Sequence, residues 1–151
     1  MKRFLFLFIF FFICIISKAQ IVDYLYGKYY IDDSPYTGVF IEHYENGNKK
    51  SEISIVKGEV DGTTTLFYEN GKIKEIRAYK NGLKNGNWIT YDTNGLKIAE
   101  ASYKDDLKDG YWYLWFTNGK KHYEMYYVKG EKMGTWYIWD ENGILITEKK
   151  Y

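Results

Sequence analysis

From Tyr36 onward, apolar and polar residues alternate in short runs cut at regular intervals by glycine. Gly38, Gly62, Gly86, Gly110 and Gly134 stand 24 residues apart. Gly47, Gly71, Gly95, Gly119 and Gly143 follow nine residues later at the same spacing. Gly58, Gly82 and Gly130 form a third set, with Asp106 in the remaining place. Thirteen of the 14 glycines thus lie on one grid, and Gly27 alone is off it. Self-similarity at a fixed period marks a repeat architecture. Each second-set glycine follows an asparagine: Asn46, Asn70, Asn94, Asn118 and Asn142. Asn-Gly between apolar-rich runs predicts a β-hairpin. A two-residue type I′ turn is the first expectation, because Asn and Gly best tolerate positive φ. A three-residue loop with a Gly bulge is the alternative, and it would shift the face assignments by one residue. The third glycine set falls in what reads as a looser turn, such as Lys57 to Gly62.

The runs between these turns suit a pleated surface. Repeat four reads Gly110-Tyr-Trp-Tyr-Leu-Trp-Phe-Thr-Asn-Gly119, and aromatic and β-branched residues favour strands. The expectation is an all-β protein: an elongated antiparallel meander of five 24-residue hairpins over residues 38–151, about ten strands in all. Residues 20–37 precede it. The stretch 21–31 is expected to form an extra capping strand, and Pro35 sits in a turn.

The first 19 residues follow a different pattern. Lys2 and Arg3 precede an unbroken apolar run from Phe4 to Ile16, and small residues stand at Ser17 and Ala19. That is the layout of a secretory signal peptide, with cleavage expected after Ala19. A spanning helix needs about 20 apolar residues, more than this run supplies. The expected address is therefore secreted or periplasmic, with membrane contact only through the signal peptide. Cys14 lies inside the run and reads as an apolar filler.

Charge changes the picture next. Without Lys2, Arg3 and Lys18, 18 of the 21 basic side chains remain against 20 acidic ones, a net charge of −2. There is no basic excess to neutralise phosphates, so nucleic acid is not the expected partner. Beyond Cys14 there is no cysteine, which removes thiol catalysis and Cys-based metal sites.

Units such as Gly86-Asn-Trp-Ile-Thr-Tyr-Asp-Thr-Asn-Gly95, and Gly62 through Tyr68-Glu-Asn-Gly71, with Tyr79, Tyr103 and Tyr127 closing the second strand, resemble the bacterial variant of the MORN repeat. The resemblance covers residues 36–151. It implies a twisted antiparallel sheet of successive hairpins and no single activity. Bacterial members are often labelled antitoxins, and eukaryotic relatives are discussed as membrane-proximal or protein-binding scaffolds. The export signal departs from a cytoplasmic antitoxin. The copies also drift: Phe40 and Thr64 stand where later repeats have Trp88, Trp112 and Trp136.

In the two-residue register, Trp88, Trp112 and Trp136 share a face with Tyr79, Tyr103, Tyr127 and Tyr151, while Tyr91, Trp115 and Trp139 fall on the other. Packing between repeats explains the first set. The concentration of large aromatics in repeats four and five marks Trp112, Trp115, Trp136, Trp139, Tyr113 and Tyr137 as the candidate binding surface, since interface hot spots favour Trp and Tyr. Glu52, Glu100, Glu124 and Glu148 share one repeat position. A carboxylate repeated four times serves the repeat rather than one reaction centre, and a tyrosine hydrogen bond or a solvated face is expected. His43 and His122 are three periods apart at different repeat positions, which disfavours a shared metal or dyad. The last strand is expected at a sheet edge, with Glu148, Lys149 and Lys150 guarding it.

The expected function is a non-enzymatic binding or scaffold protein of the cell envelope, without a cofactor, that engages an unknown protein partner. Two alternatives stand beside it: an antitoxin-like or immunity-like protein that neutralises a partner toxin, and a carbohydrate or envelope-polymer binder.

Overall fold

A computed structural model describes residues 21–151; the expected signal peptide lies outside the described residues. Three short strands come first: β1 (Asp23–Leu25), β2 (Lys28–Ile31) and β3 (Ser34–Pro35). Ten follow: β4 (Gly38–His43), β5 (Lys49–Val56), β6 (Glu59–Phe67), β7 (Ile73–Lys80), β8 (Leu83–Tyr91), β9 (Lys97–Lys104), β10 (Leu107–Trp115), β11 (Lys121–Val128), β12 (Glu131–Trp139) and β13 (Leu145–Lys150). These ten form one antiparallel sheet in strict sequence order, each strand beside the one before it. The all-β hairpin meander expected from the glycine grid is the observed architecture.

The turn types are the reverse of the first expectation. In the β4–β5 hairpin the Tyr44 N–H donates to the Asn48 carbonyl and the Gly47 N–H to the Tyr44 carbonyl, both at 2.9 Å. Within this loop the positive φ belongs to Gly47 (83°), and Asn46 does not share it. The loop therefore has three residues, Glu45-Asn46-Gly47, and the same bonds recur in all five copies. The primed two-residue turns are the connections read as looser. Lys57-Gly58 has φ 51° and 82°, and Asn81-Gly82, Asp105-Asp106 and Lys129-Gly130 repeat the pattern. Asp106 adopts φ 65° where the other copies have Gly; Asp is among the few residues that tolerate that region.

Asn turned out to have another use. The Asn48 N–H donates to Asn46 Oδ1 at 2.9 Å, while Asn46 Nδ2 donates to the Glu69 carbonyl in the next loop at 3.1 Å. Asn70 and Asn118 make the same pair of bonds. The asparagines thus tie neighbouring loops together along one edge of the array.

A three-residue loop should have moved every side chain to the opposite face. It does not, because a second irregularity cancels the first. Tyr91 pairs with Lys97, but Thr90 pairs with Ala99, so Ile98 is bulged out of the ladder. Lys50, Lys74, His122 and Ile146 are skipped in the same way. The expected face assignments survive through this compensation.

The N-terminal segment is not one added strand. It is a separate three-stranded sheet, β1-β2-β3, folded by primed turns at Tyr26-Gly27 and Asp32-Asp33. It docks on the first repeats. The Tyr29 N–H donates to the Gly58 carbonyl at 2.9 Å, and the Gly58 N–H to the Tyr36 carbonyl at 2.7 Å. Lys28 pairs with Glu59 at 2.9 Å, and the Tyr29 ring lies 5.5 Å from Phe40. Among the described residues Ser51, Ile55, Gly58, Thr64 and Tyr127 are buried. Four of these five lie in β5, β6 or the turn between them, beside the docked segment.

Candidate functional site

Each face of the sheet carries its own periodic row. On the first, seven rings run in unbroken contact: Tyr79, Trp88, Tyr103, Trp112, Tyr127, Trp136 and Tyr151. Successive centroids are 4.7–5.5 Å apart. The planes are tilted or edge-on, the geometry that ring quadrupoles favour. Each indole also has a fixed polar partner. Trp88 Nε1 donates to the Ala78 carbonyl, Trp112 to Ser102 and Trp136 to Tyr126, at 3.0, 3.0 and 3.2 Å. Those acceptors sit where the ladder is interrupted opposite a first-set glycine, so the indoles satisfy carbonyls that the bulge leaves free. Lys84, Lys108 and Lys132 lie over successive Trp–Tyr pairs at 4.2–5.1 Å from the centroids. Burial pushes the Tyr103 phenol up, against the opposing pull of Arg77.

The opposite face carries Trp115 and Trp139. Register places one continuous row across it: Ile41, Glu52, Thr65, Ile76, Ile89, Glu100, Tyr113, Glu124, Tyr137 and Glu148. The row changes character along the sheet. Its β4–β8 half is mainly aliphatic; its β9–β13 half alternates carboxylate and phenol. Glu52 and Glu100 each take a lysine three residues earlier, Lys49 at 2.7 Å and Lys97 at 2.8 Å, and Glu124 takes Lys121 in the same way. The expected tyrosine partner is thus a lysine, brought round by the bulge between them. Lys97 also lies 4.5 Å over the Trp115 ring, and Lys121 sits over Tyr113 and Trp139 at 5.0 and 5.4 Å. Burial, with the Glu124 charge beside it, pushes the Tyr113 phenol up.

The six candidate residues therefore divide between the faces. Trp112 and Trp136 belong to the ring row and are held at their indole nitrogens. Trp115, Trp139, Tyr113 and Tyr137 lie together on the opposite face, half-buried and interleaved with lysines. The ten Asn-Gly residues lie in the five loops, away from both rows. His122 is a bulge residue stacked on Phe116 and tilted against Tyr123, each at 4.1 Å. No group of His, Cys, Asp or Glu among the described residues could hold a metal ion. The lysine rows escaped the sequence reading, although Lys84, Lys108 and Lys132 share the 24-residue spacing of the glycines.

The hairpin that spans a three-residue loop and ends at the next primed turn is the unit a family comparison recognises. The MORN repeat variant matches residues 36–57, 60–81 and 108–129. The chain belongs to that family. The hairpin at 84–105, between two matched MORN units, has the same loop and the same bulge, so the array is continuous through it. A comparison with curated proteins finds no match. A MORN array is a binding or scaffold architecture: its side chains are set out in rows that repeat with the strands.

Proposed function

We propose that this MORN protein is a non-enzymatic scaffold of the cell envelope that engages a protein partner through the face bearing Trp115 and Trp139. The observation that carries the reading is the row itself. Trp115 and Trp139 occupy equivalent positions in consecutive hairpins, with Lys97, Lys121, Tyr113 and Tyr137 interleaved. Half-exposed Trp and Tyr with adjacent cations have the composition of interface hot spots. Among the described residues neither indole donates a hydrogen bond, whereas Trp88, Trp112 and Trp136 all do. The envelope address rests on the run from Phe4 to Ile16 and the site after Ala19.

The test is capture of a partner from the native envelope fraction by the immobilised protein. The expected result is one enriched protein that is lost with Trp115→Ala/Trp139→Ala while the melting temperature stays near that of the parent. Capture that survives the double substitution removes this face as the binding surface.

A further inference from the structure

Beside the continuous row on the Trp115 face, one group of polar and aromatic side chains does not follow the repeat. Between β8, β9 and β10 lies a cleft of about 560 Å³ lined by Asn87, Glu100, Ser102, Tyr111 and Tyr113, with Lys104 and Asp109 at its end. Its volume falls within the range of small-ligand sites, roughly 300–1,000 Å³. The register brings its polar wall together: Asn87 pairs with Ser102, and Glu100 pairs with both Ile89 and Tyr113. Ser102 Oγ donates to Asn87 Oδ1 at 3.0 Å, and Asn87 Nδ2 donates to Glu100 Oε1 at 3.2 Å. An amide, a hydroxyl and a carboxylate are thereby fixed in one chain. The facing wall is aromatic. Tyr111 and Tyr113 are stacked 5.6 Å apart with planes only 9° from parallel, and Tyr126 braces Tyr111 from the other side at 4.8 Å. Tyr111 remains half exposed.

No other hairpin repeats this set. At the positions of Tyr111 and Tyr113 the other copies hold Val39 and Ile41, Thr63 and Thr65, Asn87 and Ile89, or Thr135 and Tyr137. At the positions of Asn87, Glu100 and Ser102, repeat two holds Thr63, Ile76 and Ala78, and repeat four holds Tyr111, Glu124 and Tyr126. A residue set that serves the repeat recurs with the repeat, and this one does not.

We propose that this cleft binds a neutral saccharide chain. Pyranose rings present hydroxyls that both donate and accept, and a C–H face that packs on aromatic rings. The cleft offers the complement: Asn87 supplies donors and an acceptor, Ser102 a hydroxyl, Glu100 acceptor capacity and Tyr111 an open ring. Its charges cancel. Glu100 is held by Lys97 at 2.8 Å. The cleft end carries one lysine, Lys104, and one carboxylate, Asp109, which accepts from the Lys129 N–H at 3.0 Å, so the cleft and its paired lysine carry no net charge to favour an ionic ligand. A peptide that adds a strand needs a free sheet edge, and β8–β10 are interior strands. The site shares Tyr113 with the Trp115–Trp139 row of the protein-binding reading, but Asn87, Ser102 and Tyr111 lie outside that row, so variants at those three positions test the cleft separately.

The test is titration of the protein with four neutral hexasaccharides, cellohexaose, laminarihexaose, mannohexaose and chitohexaose, read by calorimetry. At least one should bind with a Kd of about 1 mM or tighter. Tyr111→Thr/Tyr113→Thr, which installs the residues repeat two already carries, should weaken it by about tenfold or more, roughly 1.4 kcal/mol. If that variant fails to fold, Asn87→Thr serves in its place with the same expectation, while Ile146→Ala, at an exposed bulge remote from the cleft, should leave binding unchanged. The proposal is overturned by no heat with any of the four up to about 5 mM. It is equally overturned by binding that persists in the cleft variants, or by loss with Ile146→Ala alone.

Discussion

Gly86 and Gly95 both have positive φ, 101° and 92°, for different reasons. Gly95 closes a loop in open space, so a side chain there meets only backbone strain, on the order of 1–3 kcal/mol. Gly86 lies across the bulge, where an added Cβ would come within 3.1 Å of the Ala78 Cβ. In urea denaturation Gly86→Ala should therefore cost more than Gly95→Ala, and Ala78→Gly in the same chain should recover part of the difference. Equal costs would mean that the close approach is not felt. Asp92 gives a second prediction at this scale. The Leu96 N–H, and then those of Asn94 and Gly95, hold its carboxyl below the ordinary value of 3.8. A depressed folded pKa means that the charged form is favoured by folding. Its contribution is present above the ordinary carboxylate range and is lost as pH falls through the folded value. The melting temperature of Asp92→Ala should thus lie below the parent at pH 7 and converge with it in acid; a constant gap would sink the idea. The glycine positions were legible from spacing alone. The turn types were not, because Asn can either adopt positive φ or bond its own backbone two residues on, and here Asn46, Asn70 and Asn118 do the latter.

The strand-level assignment of faces was correct for a reason that lies outside the pattern. The three-residue loop and the bulge at Ile98 each shift register by one residue, and only their sum returns Trp88 and Tyr103 to one face. The period fixes the sum, since both irregularities recur in every copy, but not its parts. Trp112 shows what the ring row does energetically. Trp112→Ala removes contacts with Tyr103 and Tyr127 and frees the Ser102 carbonyl; a cost near the lower end of 3–5 kcal/mol is expected for a half-buried ring. Trp112→Phe keeps a ring and loses the Nε1 bond, which should cost about 1 kcal/mol. Trp115→Ala, on the opposite face, should cost clearly less than Trp112→Ala. Thermal unfolding of the three variants checks the order, and a Trp115→Ala cost equal to that of Trp112→Ala would make both faces structural.

At the scale of the whole chain, the drift from Phe40 and Thr64 to three tryptophans has a structural component. Where the ring row lacks Trp, the β1–β3 sheet docks on the β5–β6 turn and β6, with Tyr29 against Phe40 of β4. Burial pushes the Tyr29 phenol up, with Tyr24, Glu42 and Tyr79 adding to it. The sequence reading missed this because the eleven residues 21–31 look like one strand until Tyr26-Gly27 within them and Asp32-Asp33 just after them are seen to share a backbone conformation. The cleft at Asn87 was equally hidden, since Asn87 and Ser102 become neighbours only through the pairing of β8 with β9. At the other end every residue of β13 is exposed; it pairs with β12 alone, and beyond that ladder it is held by the Tyr151 N–H to the Gly134 carbonyl at 2.8 Å and the Tyr151 ring on Trp136. In a repeat array each unit is stabilised chiefly by its neighbours, so local opening should follow this gradient of cover. Amide hydrogen exchange should show the strongest protection in β5 and β6 and the weakest in β13. Tyr29→Ala should then lower protection at Ile53, Ile55 and Thr64 by about tenfold or more, a loss of roughly 1.4 kcal/mol in local stability, and leave Tyr123 to Val128 unchanged. An equal loss in both places would mean that the ten strands open as one unit and that the docked segment stabilises the whole sheet rather than its first repeats.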